Sequence, residues 1–234
     1  MSTSFLGPVK NRVKDNGARE WYSALPTGKG PEGLVEFYTD FLFAKDYSAS
    51  DWVVTETDAG ATQAIAADIT GGALLITNTA ADDDIAQLQS AEEWFKLTAG
   101  KQAWFKTRLK VSDATQSDFF VGFATTDTTI IAGTTDSVGF RKTDGAATLV
   151  SLTEDNTSET TNTAATVVSD TYVDLAFHYD GAGKVDFFVN DARVASHTAN
   201  IEVTNKLALT YTLQNGEAVA KTMSIDYIYV AMER

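Results

Sequence analysis

The chain has 234 residues, none of them cysteine, and a formal net charge of −14. The absence of cysteine excludes disulfides, thiolate metal sites and a cysteine nucleophile. The length suits one large domain, and the acidic charge argues against general nucleic-acid binding, which needs clustered lysine and arginine. No apolar run approaches the ~20 residues of a membrane-spanning helix, and no secretory signal is recognisable, so we expect neither membrane contact nor signal-dependent export.

The first 33 residues differ from the rest in charge and composition. Residues 1–30 carry five basic and two acidic side chains, a net charge of +3, which leaves −17 for residues 31–234. All three prolines and several glycines lie within residues 1–31, where they break helices and strand ladders. We therefore predict an extended basic arm over residues 1–33 and a body over residues 34–234. The candidate docking residues of the arm are Phe5, Leu6, Val9, Lys10, Arg12, Val13, Lys14 and Arg19.

Three interpretations of the arm compete. A disordered tail is the simplest, although adjacent aromatic residues such as Trp21 and Tyr22 are unusual in disordered segments. A docked arm would cover either an acidic partner surface or the chain's own acidic body. Docking to a partner would cost the conformational entropy that the arm loses when it becomes ordered. Nucleic acid is a weaker candidate, because the acidic body would repel it.

From about residue 34 onward, runs rich in Val, Ile, Thr, Phe and Tyr alternate with turn residues, which is typical of strands. Residues Tyr172–Tyr179 alternate with a period of two, which predicts a half-buried strand. A Gly-containing loop then predicts a hairpin with the next run. The clearest predicted strands are Phe37–Phe43, Ala73–Thr77, Ala103–Val111, Phe119–Thr125, Ser137–Lys142, Thr148–Thr153, Tyr172–Tyr179, Val185–Asn190, Leu207–Leu213 and Met223–Val230.

Helical patterns are scarce. Residues Ala80–Trp94 are the best candidate for a short helix, because Ile85 and Leu88 lie three residues apart, although Asp82-Asp83-Asp84 also suits a loop. Ten or more strands with few helices imply a sandwich or jelly roll. We therefore predict an all-β body.

The order of several strand motifs resembles the concanavalin A-like jelly rolls of the laminin-G and laminarinase group. Ser224–Val230 is similar to the closing strand of that fold and Phe37–Phe41 to its opening strand. The other matching segments are Trp104–Arg108, Phe119–Phe123, Ser137–Phe140 and Val185–Asn190. The resemblance implies a jelly-roll β-sandwich over about residues 34–232.

A second resemblance concerns the whole chain. The chain resembles capsid decoration (cement) proteins of tailed bacteriophages in its Ala- and Thr-rich composition, its lack of cysteine and its basic arm. This resemblance implies a non-enzymatic virion protein on the capsid exterior, made in the host cytoplasm. It also implies docking to a major capsid protein or other virion proteins and a homotrimer. We expect stabilisation of the shell by mass action, since a ligand of the assembled shell favours assembly.

Catalysis is the first alternative function, because relatives of the jelly roll hydrolyse glycosides with two carboxylates on one strand face. Their pattern is Glu-x-Asp-x-x-Glu. The chain offers Glu56-Thr57-Asp58 with alanine at position 61, before the mid-sheet strands. We therefore expect no glycosidase of this type.

Metal and histidine sites are also weakly indicated. Asp82-Asp83-Asp84 carries oxygen ligands that suit calcium but lacks the spacing of an EF-hand loop, so we interpret it as a solvated turn and expect no metal or cofactor. His178 shares a strand face with Asp174, but no adjacent nucleophile is evident. We interpret both His178 and His197 as surface or sheet-face side chains.

Glycan binding is the main alternative to capsid decoration. Sugars are held by exposed aromatic rings and planar polar groups, whereas a tryptophan in a strand is buried by default. The available aromatic residues are Trp21, Trp52, Trp94, Trp104 and the pair Tyr227 and Tyr229. This hypothesis predicts a lectin-like module for host adhesion or a fibre component.

Overall fold

The computed structural model describes residues 33–66 and 68–234, and they form a sandwich of two antiparallel sheets. The first eight strands are β1 (Leu34–Thr39), β2 (Trp52–Glu56), β3 (Thr62–Ile65), β4 (Leu74–Thr77), β5 (Ile85–Ser90), β6 (Ala103–Val111), β7 (Ser117–Ala124) and β8 (Ser137–Lys142). The rest are β9 (Thr148–Asp155), β10 (Ser158–Thr166), β11 (Val173–Tyr179), β12 (Val185–Val189), β13 (Ala192–His197), β14 (Ala208–Asn215) and β15 (Thr222–Glu233). Two short 3₁₀ helices, Ala44–Asp46 and Ala49–Asp51, precede β2. No helix in the described ranges is long and apolar enough to cross a membrane.

The strand order shows how the chain passes between the two sheets. The eight-stranded sheet has the order β13-β12-β11-β6-β15-β4-β3, with β1 also paired to β15. The seven-stranded sheet has the order β10-β9-β8-β7-β14-β5-β2. After β6 the chain enters the other sheet for β7 to β10 and then returns for β11 to β13. Both sheets therefore depend on long-range pairing, as in a jelly roll.

Aromatic rings from both sheets fill the space between them. Phe105 and Phe177 of the eight-stranded sheet stack with centroids 5.0 Å apart, and Phe123 of the seven-stranded sheet meets Phe177 edge-on at 5.2 Å. Phe140 and Phe187 meet edge-on at 5.4 Å. Edge-on and stacked pairs add about 0.5–1.5 kcal/mol each beyond their burial, so this aromatic layer holds the two sheets together.

The outer face of the seven-stranded sheet is largely covered by the chain between β7 and β8. Ile130 is buried against Phe120 and Leu152 of that face. Gln87 and Gln89 of β5 also point to that face, and their side-chain amides donate to the backbone oxygens of Asp127 and Thr125. These polar side chains are buried and satisfied. This part of the outer face is therefore closed to a ligand.

The predicted helix over Ala80–Trp94 is wrong. The segment contains β5, which lies between β14 and β2 in the seven-stranded sheet. Its residues alternate between the core, which Ala86 and Leu88 enter, and the outer face. The opening strand also differs from the prediction: β1 ends at Thr39, and the buried Phe41 adopts a left-handed backbone with φ 52°. Both differences reflect tertiary burial that overrides local pattern.

Candidate functional site

An aromatic-lined cleft lies at one edge of the sandwich, next to β1 of one sheet and the edge strand β2 of the other. Its volume is about 300 Å³, the lower end of the range of small-molecule sites. We call it the edge cleft. Its lining residues are Phe37, Asp46, Ser50, Asp51, Trp52, Ser90, Ala91, Trp94, Phe95 and Leu209.

Backbone hydrogen bonds fix the segments that carry these side chains. The amide of Ala91 donates to the carbonyl of Asp51 over 2.9 Å, which joins the end of β5 to the helix before β2. Phe95 and Leu207 exchange two backbone hydrogen bonds of 3.0 and 2.6 Å. The cleft is therefore built from ordered backbone, although most of its lining lies outside regular strands.

The aromatic residues of the edge cleft differ in exposure. Phe95 is buried and stacks on the core ring of Phe123 at 4.8 Å, whereas its neighbour Trp94 is 66% exposed. Trp52 is half-buried and meets Tyr211 edge-on at 6.4 Å. Phe37 of β1 is 40% exposed. Core contacts thus fix Phe95 and Trp52 at the base of the cleft, whereas Trp94 and Phe37 present apolar ring surface to solvent.

The charged groups that line the edge cleft are two carboxylates. Asp46 accepts a hydrogen bond of 2.9 Å from the amide of Phe43, which caps the first 3₁₀ helix. Asp51 is exposed at the end of the second 3₁₀ helix. Ser50 and Ser90 supply hydroxyl groups, and that of Ser90 donates to the carbonyl of Glu92. Aromatic surface beside carboxylates and hydroxyls is a chemistry that binds polyhydroxylated rings.

The aromatic residues named in the glycan hypothesis have different positions. The structure brings Trp52 and Trp94 together in the edge cleft, while Trp104 is fully buried. Trp21 and all the candidate docking residues of the arm lie outside the described residues. Phe37 was not recognised from the sequence as a cleft residue, because its position depends on the long-range pairing of β1 with β15, which no local pattern indicates.

Tyr227 and Tyr229 lie on the outer face of the eight-stranded sheet, where their hydroxyls are already engaged. Tyr227 donates to Asp174 over 3.0 Å, and Tyr229 donates to Glu36 over 3.0 Å. Burial and the carboxylate of Glu36 raise the pKa of Tyr229 above its ordinary value. These tyrosines therefore cross-link strands, and they do not join the edge cleft.

The two histidines have different environments. His178 lies on the outer sheet face as predicted, stacked on Trp104 at 5.3 Å and hydrogen-bonded to Gln102. The surface interpretation of His197 is wrong: its ring is buried between the sheets, and both nitrogens bond hydroxyls, those of Ser151 at 3.1 Å and Thr153 at 2.9 Å. Burial lowers the pKa of both imidazoles.

The solvated-turn interpretation of Asp82-Asp83-Asp84 is wrong for its last residue. Asp84 is fully buried, and its carboxylate accepts hydrogen bonds from Thr57, Asp58 and both the amide and hydroxyl of Thr79. Asp82 and Asp83 are exposed. Asp84 thus joins two turns and has no accessible oxygen for a ligand.

A different group of carboxylates could hold a cation. Oxygens of Asp136, Asp155 and Glu202 lie within 4.8 Å of one another. Asn156 and Asn205 donate to Asp136, while Thr204 and Asn205 donate to Glu202. Burial and the Glu202 carboxylate raise the pKa of Asp155, because negative charge nearby disfavours its ionised form. The expectation of no metal or cofactor stays a prediction.

The only Glu-x-Asp motif lies far from the middle of either sheet. Glu56 ends the edge strand β2, and its carboxylate accepts a hydrogen bond from Gln63. The amide of Asp58 donates to Asp84. The motif therefore lies in an edge strand and the turn after it, and not in a mid-sheet strand.

Comparison with known proteins supports the fold. No protein-family model and no curated protein matches the chain. The endo-1,3-beta-glucanase from Streptomyces sioyaensis superposes with a TM-score of 0.62 at 12% identity, covering 87% of this chain and 98% of that chain. The Bacillus licheniformis beta-glucanase gives a TM-score of 0.59 at 12% identity, with coverages of 83% and 97%. The Emp46p carbohydrate recognition domain, in its metal-free form, gives 0.57 at 9% identity, with coverages of 82% and 93%.

These similarities confirm the predicted concanavalin A-like jelly-roll β-sandwich. Identities this low establish the fold alone, because one fold hosts many unrelated functions. The function must therefore be argued from the residues of the edge cleft.

Proposed function

We propose that this protein is a carbohydrate-binding module and that the edge cleft holds the sugar. The observation that carries the proposal is the exposed indole of Trp94 beside Phe37 and Trp52, with two carboxylates and two hydroxyls in the same cleft. The apolar face of a sugar ring packs on aromatic surface, and its hydroxyls need polar partners at the rim. Both requirements are met within one concave site.

The similar structures support this class of ligand. Two of them are named as beta-glucanases and one as a carbohydrate recognition domain. We therefore take neutral β-glucan oligosaccharides as the first probes.

The proposal is binding without bond cleavage. Retaining glycosidases place two carboxyl groups about 5–5.5 Å apart across the scissile bond. The motif that resembles such a pair, Glu56-Thr57-Asp58, lies at the sheet edge with Glu56 engaged by Gln63. An assay for new reducing ends, run on the oligosaccharides that bind, tests this part: release of reducing ends would contradict it.

The binding test compares the intact protein with Trp94→Ala by isothermal titration calorimetry. Covering about 60 Å² of indole contributes about 1.5 kcal/mol at 25 cal/mol per Å², so we expect affinity to fall about tenfold. Tyr38→Ala is the matched control, because Tyr38 is an aromatic residue of β1 that is 60% exposed and does not line the cleft. Equal affinity of Trp94→Ala and the intact protein would refute the proposed site.

Capsid decoration stays a prediction that rests on resemblance. Its candidate docking residues lie in the arm, outside the described residues, and the homotrimer, the virion partners and the capsid location depend on the same resemblance. The edge cleft is compatible with a lectin-like role in a fibre, which was the alternative drawn from the sequence. The geometry therefore favours glycan binding.

A further inference from the structure

The edge cleft combines aromatic faces with negative charge, and the described residues bring no positive charge to its lining. Its charged lining residues are Asp46 and Asp51, and no lysine or arginine of the described residues lines it. Lys45 lies outside the lining, with its ammonium 3.9 Å from Asp46 and its side chain 80% exposed, so water weakens its effect. The cleft therefore has a negative potential, which the net charge of −14 reinforces.

The Asp51 carboxylate is available to a ligand. Within the described part of the chain it has no hydrogen-bond or ion-pair partner, and it is exposed at the rim beside Trp52. A carboxylate that is not already paired can form a charge-assisted hydrogen bond with an ammonium group. The same carboxylate repels a uronate or a sulfate.

The indole of Trp94 also favours a positively charged ligand. A cation placed over the face of a tryptophan is attracted by the ring quadrupole, and tryptophan is the best of the aromatic residues for this interaction. Its 66% exposure leaves ring surface free for a ligand. One cleft thus offers a ring face and a carboxylate, the two groups that together recognise an ammonium.

We propose that the edge cleft selects saccharides by charge: it prefers sugars that carry a protonated amine to neutral sugars, and it binds uronates and sulfated sugars more weakly than neutral ones. This inference rests on the proposed function, because it names the ligand class of the same cleft. A single opposite charge about 6 Å from a carboxylate in water changes affinity about threefold. Two carboxylates give a preference of about threefold to tenfold at low salt, and salt reduces it.

The test uses three oligosaccharide series of equal length: deacetylated glucosamine, N-acetylglucosamine and glucuronic acid oligomers. Affinities of the intact protein are measured by titration calorimetry at pH 6 in 25 mM and 500 mM NaCl. We expect the glucosamine series to bind threefold to tenfold more tightly than the acetylated series at low salt. The advantage should shrink at high salt, and the uronate series should bind most weakly.

Asp51→Asn tests whether the Asp51 carboxylate causes the preference for the amine. Asp82→Asn is the matched control, because it removes an exposed carboxylate that does not line the cleft. We expect Asp51→Asn to reduce the preference for the amine by about threefold and Asp82→Asn to leave it unchanged. Equal binding of all three series, or tighter binding of uronates, would overturn the charge inference and leave the proposed function intact. If none of the three series binds and the neutral β-glucans do not bind either, the charge inference and the proposed function are both overturned.

Discussion

Replacing the buried Asp84 by alanine should cost more stability than replacing an exposed aspartate nearby. The Asp84 carboxylate accepts hydrogen bonds of 2.7 Å from the amide and 2.8 Å from the hydroxyl of Thr79. It also accepts bonds of 3.0 Å from the Thr57 hydroxyl and 3.1 Å from the Asp58 amide. Hydrogen bonds to charged groups contribute about 1.5–3 kcal/mol each, and they are not additive. We therefore expect Asp84→Ala to lower the free energy of unfolding by about 3–5 kcal/mol.

Urea unfolding followed by tryptophan fluorescence measures this loss. For a slope of about 2–3 kcal/mol per M, the expected midpoint falls by more than about 1 M. Asp82→Ala is the control, because Asp82 is exposed in the same turn, and its effect should stay within about 0.5 kcal/mol. A midpoint for Asp84→Ala that matches the Asp82→Ala midpoint would show that these hydrogen bonds do not stabilise the two turns.

The pH dependence of this contribution has a definite sign. Burial raises the pKa of Asp84, but the hydrogen bonds from Thr79, Asp58 and Thr57 outweigh it and hold the pKa below its ordinary 3.8. An acid whose pKa is lower in the folded state contributes its full stability above the unfolded pKa. The contribution of Asp84 is therefore present above pH 3.8 and is lost as the pH falls through the folded pKa.

Two further predictions concern a buried histidine and the basic arm. Burial lowers the pKa of His197 below 6.5, so the unfolded chain takes up a proton first and stability falls as pH drops below about 6.5. We expect stability to fall less between pH 6.5 and 5.5 in His197→Gln than in the intact protein, as measured by urea unfolding, and an equal fall would contradict the prediction. If the capsid-decoration hypothesis holds, deleting residues 1–30 should leave a cooperatively folded body that does not co-sediment with phage capsid shells, whereas co-sedimentation equal to that of the intact protein would exclude the arm as the docking element.

The sequence predicted best those strands whose two faces differ in polarity. Residues Ala103–Val111 and Ser137–Lys142 were predicted with the bounds that β6 and β8 have in the structure. Most of their inward residues are aromatic or aliphatic, because they meet the opposite sheet. A period of two is visible only where one face is buried and the other is polar.

Four of the five strands that escaped prediction lie at sheet edges, the fifth being β5, which was predicted as a helix. The four edge strands are β2, β3, β10 and β13. The strand β10 has little apolar pattern: its inward side chains include Asn162, which bonds His197, and Thr160, which bonds Asn200. A polar network between sheets satisfies its own groups, and its partners lie 35–40 residues apart in the chain. Neither local composition nor periodicity indicates which distant residues will become hydrogen-bond partners.

The candidate site was predictable in its residue types and unpredictable in its assembly. Trp52 and Trp94 were recognised as possible sugar platforms, but Trp104 has the same composition signal and is fully buried. Exposure is decided by which segments cover a side chain, as Leu34, Phe188 and Ala231 cover Trp104, and these contacts follow from long-range pairing such as that of β1 with β15. The sequence could therefore suggest glycan binding as a hypothesis but could not locate the cleft.

The arrangement of Trp94 and Phe95 separates binding from stability in the edge cleft. Consecutive residues of an extended segment point to opposite sides, so Phe95 enters the core and Trp94 faces solvent. The pair of backbone hydrogen bonds between Phe95 and Leu207 holds the segment without help from the indole. The Trp94 side chain is consequently free to serve recognition, because removing it leaves the stacking of Phe95 on Phe123 and those hydrogen bonds in place. A loss of sugar binding in Trp94→Ala can then be attributed to the missing ring surface, since the fold that presents the cleft does not depend on it.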